Sequence, residues 1–426
     1  MSRSERGLDW FTFFVADLQT GFGPFLAVYL STQKWNQADI GLVLAVGSLA
    51  GLASQLPAGW FVDMAPSKRR VAMLAVAGIG LSALLIALAP SFLGIMTAKL
   101  LHVASSSLLG PAIAAITLGL VGHAAVAARL GRNARFASIG NGLAAGVMGA
   151  VGYLISPQAV FLVTAALALP TLLALKQIRE SEIDAVLADG GIVQREARSA
   201  VAPASIASLL RKRSLIVLTF AVFLFHAANA AMLPLVGTEM AMRSDRLLVP
   251  ILGIEVSMGQ WASALVAVCI VVPQLVVALI APAVGRLAGV WGRRPVLLVG
   301  FAALPARATI LAFNSDPLVI VAAQMLDGLC AAVLGVLVPL SLADISRGSG
   351  RFNLAQGIAA SASGIGAAVS TSVAGGLATS FGSGTAFLGL AGTAAGAFVT
   401  LLVAMPETAP KDMLGQEPNR TYGRTL

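Results

Sequence analysis

The sequence predicts an all-α integral membrane protein, with twelve transmembrane helices arranged as two parallel six-helix repeats. Three observations carry that expectation: an apolar composition, apolar runs of bilayer-spanning length, and a one-sided distribution of basic residues. Of the 426 residues, 58% are hydrophobic and 11% are charged, where a soluble domain carries about 25% charged residues. That is too little polarity to cover an aqueous surface. The apolar runs extend for the ~20 residues that a helix needs to cross hydrocarbon. They also lack the period-two alternation of a membrane barrel.

Taken in order, the runs fall at 10–30, 38–62, 71–90, 92–122, 137–156 and 158–176, then at 214–237, 256–284, 296–314, 317–344, 354–381 and 384–405. The halves are thus 1–176 and 214–405, joined by a polar linker over 177–213 and followed by a tail at 406–426. The tail is rich in Pro, Gly and charge and is read as disordered. The first run begins near Trp10 and is long enough to span, so it is expected to be a retained helix and not a cleaved leader.

Basic residues fix the expected orientation. Placing both termini and the linker on one side gives that side 23 of the 28 Lys and Arg residues. The other side receives Lys34, Arg243 and Arg246, while Lys99 and Arg307 fall inside spans. By the positive-inside rule both termini are cytoplasmic, as in a bacterial inner-membrane protein. The same placement removes nucleic acid as a partner, because the net charge of +9 is spread over short loops. Cys269 and Cys330 lie in separate apolar runs, so neither a disulfide nor a metal centre is expected.

The halves repeat a loop. Gly59-Trp-Phe-Val-Asp63-Met-Ala-Pro-Ser-Lys-Arg-Arg70 follows the second span, and Gly285-Arg-Leu-Ala-Gly-Val-Trp-Gly-Arg293-Arg294 follows the eighth, 226 residues later. With the six-plus-six layout and long central linker, these loops make the chain resemble a major facilitator superfamily transporter over nearly its whole length. The family signature in this loop is Gly, three residues, Asp, a basic residue, one residue, Gly and a basic pair. Here Met64, Pro66 and Ser67 depart from it in the first copy, and Gly289 replaces the acid in the second. An acid at such a helix end can hold backbone N–H groups or basic side chains. Gly59, Asp63, Gly285, Arg293 and Arg294 are therefore expected to form a conformational latch, while Lys68, Arg69 and Arg70 are read mainly as topology determinants.

Charges within hydrocarbon cost at least ~2.5–3.5 kcal/mol each, which makes each a candidate functional residue. The resemblance implies that the first, fourth, seventh and tenth spans line a central cavity. Asp17 and Thr20 share a face of the first span, and His226 and Asn229 share one in the seventh. Lys99 and His102 of the fourth correspond, at an offset of 225, to Gln324 and Asp327 of the tenth. Asp17, Thr20, His102, His226, Asn229, Gln324 and Asp327 are thus expected to form the substrate and proton pathway. Lys99 and Arg307 are read as residues that snorkel. The glycines of the fifth span (140, 142, 146, 149 and 152) suggest close helix packing. Drug–proton antiporters of the superfamily have a Gly-Pro step there, which this chain lacks.

The expected function is secondary transport of a small molecule by alternating access, as a lipid-embedded monomer without cofactor or metal. Proton-coupled efflux of a drug-like compound or metabolite is the first reading, and uptake symport the second. A receptor or scramblase on the same fold is a further alternative. The chain has no P-loop, no G-x-S-x-G and no H-E-x-x-H, and its three histidines are scattered, so neither direct ATP use nor membrane-enzyme chemistry is expected.

Overall fold

A computed structural model describes residues 2–20, 26, 29–30, 32–35, 37–191, 205–243, 248–251 and 254–410. The helices are α1 (Arg3–Thr20), α2 (Gln37–Met64), α3 (Lys68–Leu88), α4 (Phe92–Leu154), α5 (Pro157–Gln177), the short α6 (Ala185–Ala188) and α7 (Ile206–Leu210), α8 (Arg213–Asn229) and α9 (Met232–Arg243). After a two-stranded antiparallel hairpin, β1 (Leu248–Ile251) with β2 (Ile254–Ser257), come α10 (Met258–Val290), α11 (Arg293–Phe313), α12 (Pro317–Ser346), α13 (Phe352–Phe381) and α14 (Ser383–Ala404).

Ten of these stretches, among the described residues, are long and apolar enough to cross a membrane. One of them, Phe92–Gly152, holds both the fourth and the fifth expected spans. Gly122 joins them, with φ 68° and ψ 176°. Large apolar side chains remain exposed along the helices, among them Leu49, Leu74, Leu93, Leu279 and Leu318, which is 80% exposed. In water such a surface would aggregate; against lipid it is the stable arrangement. Threonines inside the spans satisfy their hydroxyls on the preceding turn, as Thr164 does by donating to the Val160 carbonyl at 2.8 Å and Thr171 to that of Leu167 at 2.6 Å.

The chain forms two compact units. The first contains residues 1–212 with 339–361, and the second 213–338 with 362–426. In the first unit α1, α3, α4 and α5 enclose a core of Leu8, Phe11, Leu18, Val76, Ile79, Ile116 and Phe161. In the second, α11 and α14 pack together and α8 packs on α14, over Leu218, Phe225, Phe301, Leu304, Phe387 and Leu390.

Helix starts follow local chemistry. Ser67, Ser91 and Ser156 each accept a backbone N–H from three residues on, and so cap α3, α4 and α5. The fifth span begins earlier than its apolar run, because residues 123–136, read as a polar loop, are helical. Two of their arginines, Arg129 and Arg132, find a buried partner described below. The seventh span breaks at Ala230 and Ala231, where the Ser370 hydroxyl accepts the Ala231 N–H at 3.1 Å. Of the fifth-span glycines, Gly152 has the expected close neighbour, since an added Cβ would lie 3.3 Å from the Val160 side chain on α5. A Cβ added at Gly142, Gly146 or Gly149 would meet nothing within 4 Å.

Candidate transport site

Three polar constructions stand out, two in the first unit and one in the second. The first is the loop between α2 and α3. Asp63, at the last turn of α2, accepts the backbone N–H of Asn353 at 3.0 Å and of Leu354 at 2.8 Å, and the Asn353 amide at 2.8 Å. These donors open α13, so the carboxylate caps a helix N-terminus 290 residues away, where the helix dipole favours negative charge. The approach depends on Gly59, since a Cβ there would collide with the Asn353 carbonyl.

Lys68 differs from the expectation of a solvated topology marker. It is 3% exposed, donates to the carbonyls of Val62, Asp63 and Ala65 at the end of α2, and pairs with Asp189 at 2.6 Å. Burial pushes the Asp189 carboxyl above the ordinary carboxylate range, while Lys68 pulls it back part of the way. Arg69 likewise fastens the linker, donating to the Ile178 carbonyl at 2.7 Å and pairing with Glu180 at 3.1 Å.

The second construction was not anticipated from sequence. Asp9 of α1, 3% exposed, receives Arg132 through two donors at 2.8 Å each and Arg129 at 2.6 Å. Asn133 accepts from Arg129 and donates to Thr117, both within 2.9 Å. The network joins α1 to both sides of the Gly122 bend. The signal was present in Arg129 and Arg132, spaced i, i+3 next to an apolar run, but nothing local identified Asp9 as their partner.

The third construction lies in the second unit and gathers three of the expected pathway residues around an unexpected one. Arg307 of α11 donates Nη1 to Asn229 Oδ1 and to Asp327 Oδ1, both at 2.6 Å, and Nη2 to Gln324 Oε1 at 2.7 Å. At 1% exposure, Arg307 is no snorkelling residue on the periphery. The correction has a physical reason: three acceptors on α8 and α12 make its burial tolerable.

The remaining pathway residues stand apart from this cluster. His226 turns Nδ1 to the Val222 carbonyl of its own helix at 2.9 Å. His102 is buried in the first unit, and the Lys99 stem lies against Gly47 of α2. Asp17 and Thr20 fall in α1, but their side chains lie outside the described residues. The second copy of the repeated loop is closed by an acid from elsewhere. Glu407 accepts the N–H groups of Arg293 at 2.8 Å and Arg294 at 3.0 Å, capping α11. Among the described residues no group of three or more His, Cys, Asp or Glu could hold a metal.

The profile of the Major Facilitator Superfamily matches residues 10–270 and 241–420. The chain belongs to that superfamily. Two proteins of Mycobacterium tuberculosis, each described as an uncharacterised MFS-type transporter, one from strain CDC 1551 and one from strain H37Rv, are 39% identical over 415 residues. The match covers 96% of this chain and 95% of each relative. The crystal structure of the human organic anion transporter MFSD10 (TETRAN) superposes with a TM-score of 0.67 at 16% identity. It covers 94% of this chain and all of that one, a likeness of fold. The superfamily expectation from sequence therefore stands. The chain is an integral membrane transporter, and its substrate is a small molecule.

Proposed function

We propose that this superfamily member is a proton-coupled secondary transporter working by alternating access, and that the Asp63 clasp is its conformational latch. The observation that carries this reading is the carboxylate at the end of α2 holding three N–H donors at the start of α13. A contact made of one charged group and one helix end is strong when formed and lost as a unit, which suits an element that distinguishes two access states. The basic-residue bias supports an inner-membrane location with both termini cytoplasmic.

Asp17, His102, His226 and Asp327 are the proposed proton carriers. Efflux of a drug-like compound or metabolite is the first reading of direction. Symport of a small organic solute is the second.

Reconstitution into proteoliposomes tests the coupling. Substrate-dependent proton flux is expected from the wild type, and Asp17→Asn or Asp327→Asn should abolish gradient-driven transport while exchange survives. If both variants keep wild-type pH-driven transport, the assignment of coupling to these carboxylates fails. A buried structural carboxylate would instead lose both activities together with thermal stability.

A further inference from the structure

The first unit carries a face whose charge is unbalanced and whose apolar part is bare. On α1, Arg3, Arg6, Trp10, Phe13 and Phe14 recur at helical spacing on one side. Each is exposed or half-buried, while Leu8, Phe11 and Val15 turn inward to the core. On the later part of α4, Arg132, Arg135, Phe136, Ile139 and Leu143 recur in the same way, again exposed or half-buried. The two sides meet. The Trp10 ring lies 6.3 Å from that of Phe136, and the Arg132 guanidinium stands 5.3 Å over the Phe136 ring. Buried Asp9 fixes the join, since Arg132 reaches it from α4 through Nε and Nη2 and leaves Nη1 uncommitted.

Along this seam the residues follow the order of a lipid. Five arginines, Arg3, Arg6, Arg129, Arg132 and Arg135, stand with two acids, Glu5 and Asp9, so the cluster carries a charge of +3. Asp9 is spent on Arg129 and Arg132, and Glu5 accepts the Ser2 N–H at 2.8 Å. Among the described residues, no acid pairs with Arg3, Arg6 or Arg135. Arg6 stands one turn before Trp10 and Arg135 adjoins Phe136, so both lie at the same end of the seam. Next come the aromatic rings, with Trp10 47% exposed, a residue type that favours the membrane–water boundary. Beyond them the exposed side chains of Ile139, Leu143 and Val147 continue for about 12 Å along the helix. The repeat alone does not produce this face: in the corresponding pair of the other half, Arg351 and Phe352, the phenylalanine is buried.

We propose that this seam binds an anionic phospholipid, its phosphate held by the uncommitted arginines, Arg6 and Arg135 foremost, and its acyl chain along Trp10, Phe136, Ile139 and Leu143. A soluble anion would engage the arginines alone and leave the apolar strip bare. An acidic peptide has no use for a strip that runs from the arginines into the membrane. A zwitterionic headgroup brings its own cation to the phosphate and leaves the cluster's charge unbalanced. Such binding requires no assumption about coupling or direction of transport.

Tryptophan quenching reads the occupancy. The full chain is reconstituted in phosphatidylcholine vesicles containing a minor fraction of phosphatidylglycerol, with bromine near the top of the acyl chains of one lipid or the other. The Trp10 share of the emission is defined by its loss in Trp10→Phe. Brominated phosphatidylglycerol is expected to quench that share at a mole fraction at least about tenfold below that of brominated phosphatidylcholine. Arg6→Gln with Arg135→Gln should bring the two lipids within about twofold, because each basic residue near an anionic surface contributes about fivefold. Arg6→Lys with Arg135→Lys should keep most of the preference. Arg211→Gln, which removes an exposed arginine of the linker, should leave it unchanged.

Equal quenching by the two lipids, a preference that survives the double Gln variant, or one that Arg211→Gln also removes overturns the proposal. So does loss of the preference on adding inorganic phosphate at constant ionic strength, which would make the seam a site for a free anion. Should the double variant not fold, the wild type still decides. Its preference should fall at least about fivefold between about 0.05 and 0.5 M salt, and indifference to salt overturns the proposal.

Discussion

The two copies of the repeated loop share a glycine (Gly59 and Gly285) and a basic residue nine positions on (Lys68 and Arg294), yet they are closed by different acids. In the first copy the acid is local, Asp63, and its target is remote, the start of α13. In the second the target is local, the start of α11, and the acid comes from Glu407 beyond the last helix. Gly289 occupies the place of the missing acid. One loop thus spends its charge on a helix start from the other sequence half, while the other is closed from within its own half. A repeated motif preserves helix-end chemistry more readily than it preserves the partner that the chemistry engages.

The largest effect should come from filling the close approach in the first loop. Gly59→Val places a branched side chain where even a Cβ meets the Asn353 carbonyl. Overpacking of this kind costs about 1–3 kcal/mol. It also pushes α13 out of reach of Asp63, so the melting temperature and the turnover of reconstituted protein should both fall, turnover by more than about tenfold. Gly289→Val, in the second loop at the place that Asp63 holds in the first, has open space around its Cβ and should leave both near wild type. Equal damage from the two variants would mean that the loops are equivalent after all.

A second pair separates the acids by function. Asp63→Asn keeps the volume and one acceptor oxygen but loses the charge that two backbone amides and the Asn353 side chain share. Turnover is expected to fall about tenfold, with about 1–2 kcal/mol lost in stability, since bonds to charged groups contribute about 1.5–3 kcal/mol each and part of the set survives. Glu407→Gln should cost about 1 kcal/mol as a weakened cap and leave turnover almost unchanged. The decisive measurement is the ratio of turnover loss to stability loss in each. A Glu407→Gln variant that is stable but slow would make the second loop a latch too.

Much of the fold was legible because it depends on local quantities. Span lengths and basic loops are written in consecutive residues, and the stretch from Gly59 to Arg70 suffices to place the α2–α3 turn. Asp63 was found for a related reason, since an acid at a helix end must hold something. The misses share a cause. Arg307 reads as a snorkelling residue when its own span is taken alone; its partners Asn229, Gln324 and Asp327 come from α8 and α12. Asp9 and Glu407 were invisible for the same reason, as each serves donors on a helix distant in sequence. Buried charge is intelligible only with its partner, and spacing within one segment does not reveal a partner on another.

The smallest expected effect is also the most specific to the comparison. Gly289→Asp restores to the second loop the acid that the repeat lacks. If an acid at that position were sufficient to make a tether, the variant should gain stability and slow transport by over-holding one state. The geometry predicts neither. The start of α11 is already occupied by Glu407, whose two oxygens take the N–H groups of Arg293 and Arg294. Arg293 is turned back onto the Ala288 carbonyl at 2.8 Å, and Arg294 reaches the Leu402 carbonyl at 2.6 Å. A new carboxylate at 289 therefore finds its nearest donors engaged, and a surface substitution without a new partner stays within about ±0.5 kcal/mol. Melting temperature and turnover should both match wild type. In a Glu407→Gln background the same Gly289→Asp change should recover part of the lost stability, because a helix start has been left without its full cap. Recovery of stability without any change in turnover would establish that the second loop completes its own unit, and a fall in turnover in either background would show that an acid there tethers after all.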